Sequence, residues 1–124
     1  MPLLKGVVVV VVIATAYCSC PLCTYPYSDG ITASGTYVME GRTIAAGPSL
    51  PFNTQVYIEG VGWRVVEDRG GAIGDNQIDI YFDCHQAALR FGRRTLTVLW
   101  KEYDEDDVQC VREDTKTSNT NPVQ

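Results

Sequence analysis

Positive charge is scarce in this sequence and is outnumbered by negative charge. The 124 residues include 10 lysines and arginines against 15 aspartates and glutamates, which gives a formal net charge of −5. Residues 101–124 hold 3 basic and 7 acidic side chains, so all but one unit of this charge lies in the last 24 residues. Because a protein that binds nucleic acid needs a basic face to displace counterions, the composition argues against a nucleic-acid partner.

Long hydrophobic runs are also missing. The most extended one, Val7–Ile13, is well short of the roughly 20 apolar residues that a membrane-spanning helix needs. With Lys5 before it and Ala14-Thr15-Ala16 after it, the run resembles a short signal peptide with a small-residue cleavage site. Six consecutive valines equally favour a buried β-strand, since β-branched side chains suit a pleated surface. The residues alone exclude a membrane span and leave both other interpretations open.

Five cysteines and a single histidine are present, and an odd number of cysteines cannot all pair within one chain. Three of them are close enough in sequence for their thiolates to share one metal ion, and a fourth ligand would have to come from a distant residue. An exported disulfide and plain reduced thiols are the alternatives. The histidine falls early in a predicted helix, where a surface or hydrogen-bonded role is favoured over catalysis. The clustered cysteines are Cys18, Cys20 and Cys23, and the distant candidates are Cys84 and His85.

Short β-favouring segments recur along the chain, separated by turns rich in glycine, proline and asparagine. This pattern is typical of an all-β protein, either a closed barrel or a sandwich. The predicted strands are Val7–Tyr17, Thr36–Glu40, Thr43–Ala46, Thr54–Glu59, Trp63–Glu67, Ile78–Phe82 and Thr95–Trp100.

One short helix is predicted over residues 84–91. Asp83 is a good N-cap, and Gln86 three residues later completes a capping box. Gly92 is placed to end the helix in the left-handed αL conformation.

From Lys101 the periodicity is lost. Residues 101–124 are first acidic and then rich in Thr, Ser, Asn and Pro, so they cannot bury enough apolar area to offset their chain entropy. We therefore expect one folded domain over residues 1–100 and an acidic tail over 101–124 that is disordered or ordered only against a protein partner.

Two aspartates are the candidates for chemistry. Alternation along the predicted strand places Ile78 and Ile80 on one face and Asp79 on the other, and Asp68 ends the preceding strand. If these strands are neighbours, the two carboxyls face one region and the charge of one raises the pKa of the other. Glycoside cleavage needs such a protonated donor. Aspartates that merely cap turns or hold loop amides would have the same spacing.

Six sequence blocks extend this pattern over residues 7–100, and in this order they resemble the three-aspartate (3D) domain. The blocks are Ala14-Thr15-Ala16-Tyr17-Cys18, Gly30-Ile31-Thr32-Ala33-Ser34-Gly35-Thr36, Gly41-Arg42-Thr43-Ile44-Ala45-Ala46, Val65-Val66-Glu67-Asp68-Arg69-Gly70-Gly71-Ala72-Ile73, Ile78-Asp79-Ile80-Tyr81-Phe82 and Ala87-Ala88-Leu89-Arg90-Phe91-Gly92.

The resemblance implies a six-stranded double-psi β-barrel and an activity on bacterial cell wall. The family includes the catalytic part of membrane-bound lytic murein transglycosylase A and cell-wall lytic proteins of spore-forming bacteria and their phages. These enzymes cut the bond between N-acetylmuramic acid and N-acetylglucosamine and leave a 1,6-anhydro end. Peptidoglycan glycan strands are then the expected partner, and the reaction requires no metal or cofactor. By motif, Asp79 is the expected catalytic acid and Asp68 its supporting acid, and the residues expected to bind substrate are Thr32, Ser34 and Arg69.

The sequence departs from the family at one acidic position. Where the family has Ala-x-Asp-Pro, this chain has Ala45-Ala46-Gly47-Pro48, so Gly47 supplies no carboxyl. Three hypotheses therefore stay open: a lytic transglycosylase, a non-catalytic wall-glycan binding module, and a structural subunit, for example of a phage particle, with the acidic tail as its contact.

The resemblance also makes the valine run the first barrel strand. In that case the chain carries no separate export signal, and a wall-acting domain would need another route out of the cell, such as phage-assisted lysis or a place in a virion.

Overall fold

The computed structural model describes residues 4–20 and 30–103. Val9–Trp100 form one compact unit, and the described residues 4–8 and 101–103 belong to a second. Most of the predicted acidic tail, together with Cys23 and Cys110, lies outside the described residues, so the predicted boundary at residue 100 stays a prediction.

Six strands form a closed barrel in the order β1-β5-β2-β4-β3-β6, with one short helix between β5 and β6. Over residues 4–20 and 30–103, the all-β prediction of a six-stranded barrel with one short helix is confirmed. The valine run lies within β1, as the strand interpretation predicted, but it is not buried throughout, because Val7, Val9 and Val11 are 55%, 60% and 60% exposed. The elements are β1 Leu4–Tyr17, β2 Thr43–Ala46, β3 Gln55–Ile58, β4 Gly62–Asp68, β5 Gln77–Tyr81, α1 His85–Phe91 and β6 Arg94–Tyr103.

The barrel core is built by alternation, because successive strand residues point to opposite faces. Ile78 and Ile80 are 1% and 0% exposed, as their spacing predicted, and every other strand contributes at least one buried aliphatic side chain. Burying each such side chain contributes about 1.5–3 kcal/mol. The other core residues of the strands are Val12, Ala14, Ile44, Ala46, Val56, Ile58, Val66 and Val98.

Strand β2 lies between β4 and β5. It runs parallel to β4 and antiparallel to β5, and β5 in turn runs parallel to β1. The C-terminal ends of β1 and β5 therefore lie side by side at one end of the barrel. Strand β2 separates the two aspartate-bearing strands, so they are not the direct neighbours that the sequence argument took as its condition.

Helix α1 begins without the predicted capping box. Its N-cap is Cys84, and no side chain caps it, while the Asp83 amide donates to Glu40 Oε1 at 2.7 Å. Gly92 does end the helix with a positive φ of 69°, but its ψ of −133° lies outside the αL region that was predicted. Across the part of the chain that the structure describes, no helix is long and apolar enough to cross a membrane.

The predicted strand at Thr36–Glu40 is wrong. Only an isolated bridge between Ile31 and Tyr37 is present there, and the Thr43 amide closes a turn onto the Met39 carbonyl. Tyr37 and Met39 are 72% and 52% exposed, so this segment has no apolar face to bury in a sheet. Residues 30–37 instead form a hairpin-like loop beside the end of β4, called the Thr32 loop below.

Candidate functional site

Asp68 and Asp79 lie on either side of Ala45, at the middle of the three-strand set β5-β2-β4. Ala45 is the backbone partner of Asp79 in β5 and of Asp68 in β4. Neighbouring strands are about 4.8 Å apart, so the two aspartate backbones are separated by roughly 10 Å. Because the residue between them carries only a methyl group, no long side chain stands between the two carboxyls.

A β-bulge at Glu67 sets which acid of β4 faces this site. Ile44 pairs with Val66 and the next residue, Ala45, pairs with Asp68, so Glu67 is the extra residue of β4. An inserted residue shifts the alternation by one position. Without the bulge Glu67 would stand opposite Ala45.

Glu67 is 6% exposed and is engaged in structure rather than chemistry. It accepts a hydrogen bond from Thr43 Oγ1 at 2.7 Å and pairs with Arg42 Nε at 2.9 Å. A buried carboxylate needs such partners, because an unpaired one carries a large desolvation cost. The Glu67 contacts therefore hold the bulge in place.

Asp68 accepts hydrogen bonds from three donors. Its Oδ1 accepts the amides of Ala33 and Arg69, both at 2.9 Å, and its Oδ2 accepts the Tyr17 hydroxyl at 2.9 Å. These bonds tie the Thr32 loop and the end of β1 to the end of β4. Asp68 thus does hold loop amides, and it places a negative charge beside Asp79 as well.

Asp79 is half-buried, and within the described residues its carboxylate accepts a hydrogen bond from Thr15 Oγ1 at 3.0 Å. Burial raises the pKa of Asp79 from 3.8 to about 6, the hydrogen bond from Thr15 opposes this rise, and the charge of Asp68 adds to it. Burial and the charges of both aspartates also raise the pKa of Tyr17, so its hydroxyl stays protonated and donates. Asp79 is therefore a carboxyl that exchanges its proton near neutral pH.

The predicted substrate-binding residues lie around this pair in different ways. Thr32 is buried, and its hydroxyl is 2.8 Å from Thr36 Oγ1 and accepts the Thr36 amide at 3.1 Å. Ser34 is exposed, with its hydroxyl 3.1 Å from that of Thr32. Of the two, only Ser34 presents its side chain to solvent.

The Arg69 side chain forms hydrogen bonds with backbone carbonyls. Its guanidinium donates to the carbonyls of Leu50 at 2.6 Å and Ala46 at 3.3 Å, and it lies 4.2 Å from the centre of the Phe52 ring. It also donates to the backbone carbonyl of Asp68 at 3.3 Å. Arg69 therefore fastens the loop that follows β2.

Two residues of the site, Thr15 and Tyr17, were missed by the sequence reasoning. They alternate with the buried Ala14 on β1, so the same period of two that identified Asp79 places both on the site face. That signal was present in the sequence, but the pairing of β1 with β5 was needed to connect it to Asp79.

Gly47 occupies a position with no space for a side chain. A Cβ on this residue would lie 2.6 Å from the carbonyl carbon and oxygen of Gly74 and 2.9 Å from the Asp75 amide nitrogen. The backbone of the β4–β5 loop therefore fills the space that a carboxyl at position 47 would need.

Restoring the family acid is expected to harm this fold. We predict that Gly47→Asp lowers the free energy of unfolding by about 1–3 kcal/mol, because backbone atoms must move to admit the new side chain. Urea denaturation measures the change. Gly71→Asp is the matched control, since a Cβ on Gly71 meets nothing within 4 Å; equal stability of the two variants would contradict the prediction.

Among the described residues, one group that could hold a metal ion lies beyond the C-terminal end of β1. Cys18, Cys20 and His85 bring their ligand atoms within 4.8 Å of one another. Cys84, the other distant candidate, is exposed and is not part of this group.

Comparison with known proteins agrees with the fold and with the motifs. Residues 42–100 match the family profile of the 3D domain. Two crystal structures of MltA from Escherichia coli, one described as revealing a unique lytic transglycosylase fold, superpose with a TM-score of 0.52 at 22% identity, covering 60% of this chain and 28% of theirs. At this identity the likeness concerns the fold.

Three curated proteins of Bacillus subtilis are related in sequence. The putative cell wall shaping protein YabE is 34% identical over 95 residues, 73% of this chain and 22% of its own length. The cell wall-binding protein YocH is 34% identical over 56% of this chain and 26% of its own length. An SPbeta prophage-derived uncharacterized protein, YorM, is 38% identical over 69% of this chain and 38% of its own length.

The chain thus spans between about a fifth and two fifths of the length of these relatives. The profile match includes the β2 segment, the Glu67-Asp68 motif, Asp79 and helix α1. The chain carries a 3D domain, matched over residues 42–100.

Proposed function

We propose that this domain is a lytic transglycosylase that cleaves the bond between N-acetylmuramic acid and N-acetylglucosamine in peptidoglycan. The observation that supports it best is the half-buried Asp79 carboxyl, whose pKa is raised to about 6. On the other side of Ala45 lies the Asp68 carboxylate, which accepts hydrogen bonds from three donors. One group that exchanges its proton near neutral pH is what the reaction needs.

In this mechanism Asp79 acts first as an acid and then as a base. The protonated carboxyl donates to the glycosidic oxygen while the bond between that oxygen and the anomeric carbon of the muramic acid breaks. The resulting Asp79 carboxylate accepts the proton of the sugar's own C6 hydroxyl. At the same time the C6 oxygen forms a bond to the anomeric carbon. The 1,6-anhydro ring forms, no water is consumed, and Asp79 ends protonated, ready for another cycle.

The neighbouring groups keep this carboxyl in position. Thr15 donates to Asp79 and fixes its orientation, and Asp68 holds Tyr17 and the Thr32 loop against the site. Ser34, exposed on that loop, is the hydroxyl we assign to substrate contact. We assign Thr32 and Arg69 to positioning, since their side chains bond within the protein.

The relatives agree with a wall substrate. The names of YabE and YocH refer to cell wall shaping and cell wall binding, and the related fold of MltA is described as that of a lytic transglycosylase. These statements concern those proteins, and they support the same substrate class for this chain.

The proposal is tested by the chemistry of the product. Purified protein incubated with bacterial sacculi is expected to release muropeptides with 1,6-anhydro ends, which mass spectrometry separates from hydrolysis products by the mass of one water. Release is expected to fall about tenfold for each pH unit above 6, because Asp79 then loses the proton that it must donate.

A matched control comes from the exposed Asp75, which lies in the turn before β5. Asp75→Asn is expected to release anhydro products as the parent does. Muropeptides with free reducing ends, or no release between pH 4 and pH 8, would rule out the transglycosylase.

A second candidate, a wall-glycan binding module without turnover, is favoured by the crowding at Gly47, which leaves the domain without the family's third acid. It predicts that sacculi capture the protein from solution, that no anhydro products form, and that capture survives Asp79→Asn. The same digests and pull-downs distinguish the two candidates.

A further inference from the structure

We propose that Cys18, Cys20 and His85 form a zinc-binding site that joins the end of β1 to the start of helix α1. The three side chains come from two segments far apart in the chain, and their ligand atoms lie within 4.8 Å of one another. The proposal concerns a site separate from the two aspartates and does not depend on the transglycosylase.

Strand pairing explains why these residues meet. Strands β1 and β5 are parallel neighbours that end level with one another, at Tyr17 and Tyr81. The Phe82 amide continues the ladder by donating to the Tyr17 carbonyl at 2.8 Å. The residues that follow the two strands therefore lie at the same end of the barrel: Cys18–Cys20 after β1 and His85 after β5.

The distances fit a tetrahedral ion. His85 Nδ1 lies 3.5 Å from the sulfur of Cys18 and 3.5 Å from that of Cys20. Zinc–sulfur and zinc–nitrogen bonds of about 2.3 and 2.05 Å at a tetrahedral angle place sulfur and nitrogen about 3.5 Å apart, and two sulfurs about 3.8 Å apart. The sulfurs here are 3.0 Å apart, so they must separate by about 0.8 Å when the ion binds.

The chemistry of the set also favours zinc. Two thiolates and one imidazole are borderline-soft ligands that zinc prefers, and a hard cation such as magnesium or calcium would require oxygen ligands. Cys18 is 1% exposed, which shields one ligand from exchange with solvent. Binding releases one proton from each thiol, so the affinity is expected to rise with pH.

A bound ion would stiffen the strand end next to the aspartate site. Cys18 directly follows Tyr17, whose hydroxyl donates to Asp68, and Ser19 Oγ lies 3.3 Å from Tyr81 OH. The described residues supply three ligands, and water or a further side chain completes the tetrahedral shell.

The test uses the full chain, reduced and freed of metal. Native mass spectrometry is expected to show one zinc ion per chain, and a competing chromophoric chelator gives the affinity. Zinc at a hundred times its Kd is expected to raise Tm by on the order of 10 °C. Cobalt in place of zinc is expected to give the sulfur-to-cobalt charge-transfer band and the intense visible bands of a four-coordinate thiolate site.

Three variants locate the ligands. Cys20→Ser and His85→Gln are expected to weaken zinc binding a hundredfold or more, since even residues outside the ligand shell commonly account for 10–100-fold. Cys84→Ser, an exposed cysteine next to His85, is the matched control and is expected to bind as the parent does. Circular dichroism of each variant confirms that the barrel is folded.

Several results would overturn the proposal. One such result is a parent protein that binds no stoichiometric zinc. Another is a parent whose mass falls by two hydrogens in air, as a disulfide forms, and which binds no zinc after reduction. Unchanged affinity in both ligand variants, or equal loss in Cys84→Ser, would likewise refute the assignment. Because the parent is measured directly, a variant that fails to fold leaves the test intact.

Discussion

Replacing Asp79 with asparagine is expected to stabilise the barrel at pH 8 and to reduce release of anhydro muropeptides by roughly 10²–10⁴-fold. Burial raises the pKa of this carboxyl from 3.8 to about 6, so the folded state holds its proton more tightly than the unfolded chain does. The stability contributed by Asp79 is therefore greatest below pH 3.8 and is lost as the pH rises to about 6.

Above pH 6 the folded protein keeps a charged carboxylate in a half-buried position. The difference between the two pKa values corresponds to at most about 3 kcal/mol, and remaining solvent contact reduces it to about 1–2 kcal/mol. Asparagine carries no charge and keeps an oxygen that accepts from Thr15. The variant is thus expected to be more stable than the parent at pH 8 and to show no such advantage at pH 3.5.

Urea denaturation at these two pH values measures the stability change, and the sacculus digest measures the activity. Asp75→Asn serves as control for both, because Asp75 is exposed in a turn. A variant that is less stable than the parent at pH 8 would show that the Asp79 carboxylate is stabilised by its surroundings, contrary to the raised pKa. Full activity of Asp79→Asn would remove this residue from the chemistry.

Replacing Asp68 with alanine is expected to destabilise the domain by about 3 kcal/mol. The change deprives three donors of their acceptor: the amides of Ala33 and Arg69 and the hydroxyl of Tyr17. Each lost hydrogen bond costs about 1 kcal/mol, and more where the donor left behind is buried. Relief of the repulsion between the two carboxylates offsets part of this cost.

Asp68→Asn separates the structural role of Asp68 from its charge. The asparagine oxygen can still accept the two amides, so the loss of stability is expected to be about 1 kcal/mol. Both variants remove the negative charge, and both are therefore expected to lower the pKa of Asp79 and move the pH limit of activity downward. Hydrogen exchange at the Ala33 amide reports whether the Thr32 loop stays attached.

Equal stability of the alanine and asparagine variants would mean that the hydrogen bonds contribute nothing measurable. A pH limit that stays unchanged in both would mean that the charge of Asp68 does not act on Asp79. Tyr17→Phe, which removes one donor and leaves the charge, is expected to lower stability by about 1 kcal/mol and to leave the pH limit near its parent value.

Most of the fold could be predicted because it depends on local patterns. The period of two places Ile78 and Ile80 in the core, and the same rule applies to the valine run of β1. The errors concern marginal signals. Thr36–Glu40 has β-favouring residues but no face to bury, and Asp83 has the right identity for an N-cap but stands one residue too early, before Cys84.

The sequence by itself determined the residue types of the site and the face of its strand on which Asp79 lies, because alternation is a property of the extended backbone. Only the tertiary structure decided which groups surround it. The position of β2 between β4 and β5 places Ala45 between the two acids. The bulge at Glu67 directs the Asp68 side chain to the site and leaves the Glu67 side chain buried. Strand order and a one-residue shift of register arise from long-range pairing, which no local pattern along the chain encodes.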